Sequence, residues 1–349
     1  MILLIYVYLL IAIDAVFCKE HIIYESENKD VKVINTNEDY TIIRCEHLYN
    51  GLMNFTLPTR KLVVKNDIRF QTCYIPDNFQ ISKFMEDLGV EVNKLTFHLV
   101  SALKKHNLVG LENLQYLTIS QRFDEWDKDL LQNLTNLELL RIEECKFVAL
   151  PINFFRYTRK LKTLEILDSK VEKLGKELFH GLSNLSHLKL KIYLALSIDD
   201  GFTFEDLTSL KLLNISLYTL NILPPASFRN FINLENLIVH CNDYRYTDKE
   251  IILPNKLFVN IKSLSLESVG SKELPKHIFE HNFGMIHKLS ISGYEGDTLS
   301  DQIFKNTPNI TELRITQNNI KSLPYYIFEN LNKLEVLDLS CNKFYNLSL

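Results

Sequence analysis

The stretch ITELRITQNNIKSLP at residues 310–324 recurs 24 residues later as LEVLDLSCNKFYNL at residues 334–347. Both copies place apolar side chains at offsets 1, 4, 6 and 11 and an asparagine at offset 9. The alternation at offsets 3 to 7 predicts a short strand in which every second side chain points inward. Such recurrence at a period in the twenties indicates a protein made by stacking one structural unit many times.

The same spacing of apolar residues extends over most of the chain. Eleven units can be counted, and their first residues are 22 to 27 positions apart. The units begin at Val92, Leu114, Leu137, Leu161, Leu185, Leu210, Leu234, Ile261, Ile286, Ile310 and Leu334. This is the leucine-rich-repeat pattern. It predicts an α/β solenoid, a horseshoe with a concave parallel β-sheet, whose units complete their cores against their neighbours.

Two further markers support the repeat. An aromatic residue stands six positions before the next unit and predicts a buried spine, at Phe155, Phe179, Phe204, Phe228, Phe304 and Phe328. Asparagine at offset 9, whose amide can bond backbone groups of adjacent turns with both ends, occurs at Asn242, Asn318 and Asn342. Cys145 occupies the same offset and can replace it, because cysteine is small and tolerates burial.

The N-terminal segment indicates export. Residues 1–18 are mostly apolar and fit a secretory signal peptide; a membrane anchor is the alternative, although Asp14 interrupts the run. No other stretch reaches membrane-spanning length. Six glycosylation sequons agree with a secreted or extracellular protein, at Asn54, Asn133, Asn184, Asn214, Asn309 and Asn346.

Residues 19–91 precede the regular pattern and are expected to form an N-terminal cap with a first irregular repeat. The polar stretch from Glu25 to Asp39 leads into this cap. The eleven units then occupy residues 92–349, the last one incomplete. A net charge of −4 and a pI near 6.2 argue against general binding of nucleic acid.

The cysteines have different expected states. Cys45 and Cys73 flank the segment before the regular repeats, and we expect a disulfide that closes the cap in an oxidising compartment. Cys145 is expected to be a buried thiol. Cys241 and Cys341 lie four units apart, roughly 19 Å at ~4.8 Å per strand, so they are too distant to pair.

The cap resembles the beginning of an insect-type Toll receptor ectodomain, in the Toll-like receptor family. The resemblance is carried by DYTIIRC at 39–45, IRFQTCYIP at 68–76, FMEDLGV at 84–90 and KLTF at 94–97. It implies a cell-surface receptor that binds a Spätzle-like cystine-knot dimer in innate immunity and embryonic patterning, with receptor dimerisation as a further expectation. Ligand binding is then expected on the cap and early repeats, chiefly on the concave face.

Two alternatives to a receptor fragment remain at this point. A secreted leucine-rich-repeat adhesion or matrix protein would share the repeats, and a soluble decoy receptor would bind the ligand without signalling. The apolar residues of the last unit favour the fragment, because solenoids normally cover their ends.

Catalytic motifs give little support for an enzyme. His277-Ile278-Phe279-Glu280-His281 matches a zinc-peptidase spacing, but Phe279 aligns with the aromatic spine, so a solvated loop is the preferred interpretation. No metal or cofactor is expected. The candidate ligand contacts are outward-facing polar residues on the predicted concave face, Thr96, His98, Thr118, Ser120, Arg141, Glu143, Glu165, Lys189 and Lys191.

Overall fold

The structure is a computed structural model that describes residues 21–26, 31–36, 38–45, 62–121, 125–175, 177–193, 197–198, 204–216, 230–241, 260–274, 278–279 and 283–345. Several sequence predictions lie outside the described residues. These are the signal peptide at 1–18, the sequons Asn54 and Asn346, Phe228 of the spine, Asn242 of the ladder, and His277, Glu280 and His281 of the zinc-like motif.

The chain forms two compact units. The first comprises Met1–Leu161, Asp168–Gly181 and Leu194–Ser197, and the second comprises Lys162–Leu167, Leu182–Tyr193 and Ile198–Leu349.

The first unit begins with antiparallel strands and continues as a parallel sheet. Its strands are β1 (His21–Glu25), β2 (Val31–Asn35), β3 (Tyr40–Cys45), β4 (Asp67–Gln71), β5 (Lys94–Val100), β6 (Tyr116–Gln121), β7 (Leu139–Glu143) and β8 (Lys146–Phe147). Strands β1 to β3 pair antiparallel, and β3 to β7 pair parallel, each with the next. The polar stretch that the sequence indicated as a lead into the cap therefore contains β2, which buries Val31, Val33 and Ile34.

One α-helix, α1 (Ile81–Leu88), precedes the first regular repeat, and a 3₁₀ helix spans Lys105–Leu108. Helix α1 buries Ile81, Phe84, Met85 and Leu88 on one face. It ends at Gly89, which adopts the left-handed conformation (φ 71°) and donates its N–H to the carbonyl of Glu86. Glycine suits this position because it has no Cβ to clash in that conformation.

The remaining strands continue the repeat. They are β9 (Thr163–Val171), β10 (Lys173–Leu174), β11 (His187–Tyr193), β12 (Ser197–Ile198), β13 (Leu212–Ser216), β14 (Asn236–His240), β15 (Ser263–Glu267), β16 (Lys288–Ser292), β17 (Glu312–Thr316) and β18 (Val336–Asp338). In the second unit β11 and β13 to β18 pair in parallel, one after another. Residues at the same offset face each other in every pair, as Ser290, Arg314 and Asp338 do. The predicted fold class, a leucine-rich-repeat solenoid with a parallel sheet and a disulfide near its N-terminus, is confirmed.

The leucines at offsets 4 and 6 form the core. In the first unit Leu117, Ile119, Leu140 and Ile142 are fully buried. Each such side chain contributes roughly 1.5–3 kcal/mol to folding. Because these side chains touch those of the next strand, the burial of one repeat depends on its neighbour.

The predicted aromatic spine is confirmed for the described members. Phe155, Phe179, Phe204 and Phe304 are buried, and Phe328 is half-buried. The rings of Phe155 and Phe179 stack with centroids 6.3 Å apart, as do those of Phe304 and Phe328. Phe279 is also buried in the second unit.

Eight of the described repeats have a left-handed residue at offset 8, whereas Gln121 and Cys241 at the same offset are not left-handed. This conformation recurs at Thr72, Leu99, Glu144, Asp168, Ser268, Gln317, Cys341 and Gly293, with φ between 46° and 74°. For residues other than glycine it is disfavoured by contact of Cβ with the backbone. Gly293 has a second reason to be glycine, since an added Cβ would lie 2.7 Å from Cα of Ser268.

The ladder residue at offset 9 ties neighbouring repeats together. Asn318 is 5 % exposed; its Oδ1 accepts the N–H of Tyr294 at 2.8 Å and its Nδ2 donates to the carbonyl of Ile291 at 3.1 Å. Cys145 makes the equivalent contacts: its Sγ accepts the N–H of Gln121 at 3.4 Å and donates to the carbonyl of Ile119 at 3.7 Å. The prediction that cysteine replaces the ladder asparagine is confirmed.

Replacing Asn318 with alanine should lower the free energy of unfolding by about 2–5 kcal/mol, because two buried backbone groups lose their partners. Chemical denaturation of the purified protein measures this. Asn319→Ala is the control, since no hydrogen bond of the Asn319 side chain is found in the described residues; it should change the free energy by less than about 0.5 kcal/mol. Equal effects of the two substitutions would contradict the ladder role.

The disulfide and the buried Cys145 thiol agree with the sequence prediction. Cys45 and Cys73 form a disulfide with Cα atoms 4.9 Å apart, which links β3 to the segment after β4. Cys145 and Cys241 are buried thiols, and Cys341 is an exposed one. Burial raises the pKa of Cys145 to about 12, and burial likewise raises the pKa of Cys241 to about 12.

Only the thiolate form of cysteine reacts with iodoacetamide. At pH 8 the raised pKa values leave Cys145 and Cys241 with a thiolate fraction roughly a thousandfold below that of an ordinary cysteine. We therefore expect mass spectrometry of the native protein to find Cys341 alkylated and Cys145 and Cys241 unmodified. All three should react in guanidinium. Alkylation of native Cys145 as fast as Cys341 would contradict its ladder position.

Candidate ligand-binding face

Within each unit the strands have one buried side and one side that bears the polar residues at offsets 3, 5 and 7. We call the second side the outer sheet face. In the first unit it carries Thr96 and His98 on β5, Thr118 and Ser120 on β6, and Arg141 and Glu143 on β7. Register brings Thr96, Thr118 and Arg141 into one row and places His98 beside Ser120. The structure thus brings six predicted contacts together.

Ser120 differs from the expectation of an exposed contact. It is 0 % exposed, and its Oγ has no hydrogen-bond partner among the described residues. The other five side chains are half-buried. A ligand can therefore reach these five directly, whereas Ser120 lies beneath the surface.

The other three predicted contacts lie in the second unit. Glu165 is on β9 and Lys189 and Lys191 are on β11, all half-buried. Lys189 pairs in register with Asn214 of β13. Asn214 belongs to one of the six sequons, but it is only 7 % exposed, and its Oδ1 has no partner in the described residues. A glycan at Asn214 would have to displace what packs around it.

The other described sequons are more open. Asn184 is exposed and Asn133 is half-buried. Asn309 is half-buried and bonded at both ends: Nδ2 donates to the carbonyl of Gly284 at 2.8 Å, and Oδ1 accepts from Nζ of Lys333 at 2.7 Å. A glycan there would leave one N–H of the amide for the bond to Gly284.

Sequence analysis missed an additional strand of polar contacts, β4. Its alternation DIRFQ has the same form as the regular strands, with Ile68 and Phe70 buried, and could have been found by that signal. In register, Asp67 pairs with Lys94, Arg69 with Thr96, and Gln71 with His98. The outer sheet face therefore begins in the cap.

Charged residues are clustered on this part of the face. Oδ2 of Asp67 lies 2.7 Å from Nζ of Lys94 and 3.5 Å from a guanidinium nitrogen of Arg69. The guanidinium carbon of Arg69 lies 3.4 Å from the ring centroid of Tyr40. On the next row Arg44 donates to Oε1 of Gln71 at 3.1 and 3.2 Å.

The outer sheet face of the second unit carries a different charge arrangement. Glu312 contacts Lys288 at 2.8 Å and Arg314 at 2.7 Å, and Arg314 lies 3.5 Å from Asp338. Hydrogen bonds from Lys288 and Arg314 lower the pKa of Glu312. His240 and Glu267 lie 3.2 Å apart on neighbouring strands. These charges satisfy one another within the sheet.

The described part of the chain contains no group of three or more His, Cys, Asp or Glu side chains arranged to hold a metal ion. None of its helices combines the length and apolarity needed to cross a bilayer.

Family models match this architecture over most of the chain. The model described as "BspA type Leucine rich repeat region (6 copies)" matches residues 89–200 and 148–283, and "Leucine rich repeat" matches residues 285–344. The chain belongs to the leucine-rich-repeat family.

Individual leucine-rich-repeat proteins are also similar to it. Toll-like receptor 8 of Homo sapiens is 26 % identical over 268 residues, which cover 68 % of this chain and 25 % of that protein. Osteomodulin of Mus musculus is 26 % identical over 207 residues, or 58 % of this chain and 46 % of its own length. The chain thus spans between a quarter and a half of these relatives.

Among solved structures, the chain is similar to Toll in the "Toll - Spatzle complex, a molecular hub in Drosophila development and innate immunity". The match covers 93 % of this chain and 47 % of that chain, with a TM-score of 0.59 and 19 % identity. The glycosylated form of that complex matches with a TM-score of 0.53 and 20 % identity. At these identities the likeness shows the fold. Together with the similarity to Toll-like receptor 8 it confirms the predicted resemblance to a Toll-type ectodomain.

Proposed function

We propose that this chain is the ligand-binding part of a Toll-type receptor ectodomain. It binds a Spätzle-like cystine-knot dimer outside the cell and acts in innate immune or developmental signalling. The observation that carries the proposal is the likeness to Toll of the Toll–Spätzle complex over 93 % of the chain. The cap motifs of residues 39–97 add support that the repeats alone do not give, because repeats occur in proteins of many functions.

The outer sheet face is the proposed binding surface. In the first unit its accessible contacts are Thr96, His98, Thr118, Arg141 and Glu143; in the second they are Glu165, Lys189 and Lys191. Mixed charge and hydroxyl groups suit a protein partner recognised by electrostatic complementarity. A rigid sheet also presents these groups with little loss of conformational entropy on binding.

A secreted adhesion or matrix protein is the second candidate. It is favoured by the likeness to osteomodulin, which covers 58 % of this chain at 26 % identity. Such a protein has no reason to bind a cystine-knot dimer through the early repeats.

Surface plasmon resonance with the recombinant mature Drosophila Spätzle dimer tests the receptor proposal. The secreted protein should bind, and Arg141→Glu should weaken the affinity about tenfold or more, because a charged hydrogen bond contributes about 1.5–3 kcal/mol. Lys128→Glu is the control, since Lys128 is exposed on a turn of the same unit, outside the sheet. It should leave the affinity unchanged.

Absence of binding by a folded, disulfide-bonded protein would contradict the receptor proposal and favour the matrix protein. Equal losses from Arg141→Glu and Lys128→Glu would show binding elsewhere than on the outer sheet face.

A further inference from the structure

Arg69 is held in one orientation on the outer sheet face of the cap. The central carbon of its guanidinium lies over the Tyr40 ring, 3.4 Å from the ring centroid, which is a cation–π contact. Oδ2 of Asp67 lies 3.5 Å from one terminal nitrogen, and Lys94 holds that carboxylate in place at 2.7 Å. The side chain remains 31 % exposed. The guanidinium is therefore held by Tyr40 and Asp67, and the side chain remains partly accessible to solvent.

The hydrogen-bonding capacity of Arg69 is unused. An arginine carries five N–H donors, yet within the described residues no donor of Arg69 makes a hydrogen bond, and its buried Nε has no partner at all. Native proteins leave few buried donors in this state, because each costs free energy. A rigid guanidinium with free donors suits a planar acceptor such as a carboxylate, which can take two parallel hydrogen bonds.

Arg69 begins a row of hydrogen-bond donors across four strands. Register places Thr96, Thr118 and Arg141 next to it on β5, β6 and β7. The hydroxyls of Thr96 and Thr118 are half-exposed and form no hydrogen bond to any described residue. At ~4.8 Å between strands the row is about 14 Å long, with an arginine at each end.

We propose that this row, Arg69, Thr96, Thr118 and Arg141, binds an extended acidic segment of the protein ligand, with a carboxylate on Arg69. The inference rests on the proposed function, because it names the part of the ligand that the outer sheet face recognises. Lys94 adds positive charge beside the row, and Asp67 already faces two cations. An anionic segment therefore meets complementary charge along the row.

The second unit supplies a matched control at the same offset. Arg314 also stands at offset 5, but its Nε already donates to Glu312 at 2.7 Å and its guanidinium lies 3.5 Å from Asp338. The Nε of Arg314 therefore already has an acceptor inside the protein, whereas the Nε of Arg69 has none among the described residues. Substitution of Arg314 removes a charge from the outer sheet face of the second unit. It does not remove a guanidinium that could bind a carboxylate of the ligand through its Nε.

Two probes test the inference, the recombinant mature Drosophila Spätzle dimer and a (Glu-Gly)₆ peptide, with (Gln-Gly)₆ as the uncharged reference. Arg69→Gln should weaken the binding of the Spätzle dimer and of the glutamate peptide about ten- to hundredfold. Arg69→Lys should not restore it, because lysine keeps the charge and lacks the fork. The double variant Thr96→Val/Thr118→Val should weaken the binding of both probes about three- to tenfold. Arg314→Gln should leave the affinity for both probes unchanged.

The outcomes separate the two proposals. Failure of the unmodified protein to bind Spätzle overturns the proposed function, and the peptide then decides the inference alone. Equal binding of the glutamate and glutamine peptides overturns the inference, as does full rescue by Arg69→Lys. Tighter binding of a heparin oligosaccharide than of the glutamate peptide, lost in Arg69→Gln, would assign the row to a polysaccharide and overturn it too. Thermal unfolding and the disulfide state confirm that each variant is folded.

Discussion

The structure depends on contact between each repeat and the next. A unit of about 24 residues buries too little apolar surface to offset the conformational entropy lost on ordering it, at ~1.5 kcal/mol per residue. The leucines at offsets 4 and 6 therefore become buried only when a neighbouring strand lies in register beside them, as Leu140 does beside Leu117. This requirement fixes the register, and the register in turn places every outward-facing residue in a row with its counterparts. The core thus determines which residues lie on the outer sheet face without containing any part of that face.

The periodicity of the sequence was sufficient to predict the solenoid, the aromatic spine and the role of Cys145, because each depends on an inward-facing residue at a fixed offset. Inward positions are constrained by volume and polarity, so their residue types are informative. The disulfide could also be predicted, since Cys45 and Cys73 flank the irregular first repeat. The left-handed residue at offset 8 could not, because residues as different as Leu99, Glu144 and Gln317 adopt it. There the packing of the repeat overrides the local preference of the residue.

The candidate site was only partly predictable for a related reason. Counting offsets from Val92 identified Thr96, Thr118 and Arg141. It left out β4, because this strand lies in the irregular cap before Val92. An offset also predicts whether a side chain faces the core or the outer sheet face, but it does not predict how exposed that side chain is. Ser120 and Asn214 both belong to the outer sheet face, yet each is almost inaccessible. Both are short and stand in register beside longer side chains, His98 for Ser120 and Lys189 and Ile238 for Asn214.

Arg69 and Arg314 show how the same offset can have different consequences. Both arginines follow an acidic residue by two positions, Asp67 and Glu312, and both side chains project from the outer sheet face. Arg314 donates to Glu312 and meets Asp338 on the next strand, so that its charge stabilises the sheet itself. Arg69 faces Thr96 on the next strand, where Arg314 faces an aspartate. The ring of Tyr40 lies against the guanidinium of Arg69, on a side where a hydrogen-bond acceptor could otherwise stand. A ring attracts the cation without accepting its hydrogen bonds. The surroundings of each arginine therefore depend on the residue one repeat away, and the Nε of Arg69 keeps a donor that in Arg314 is already used.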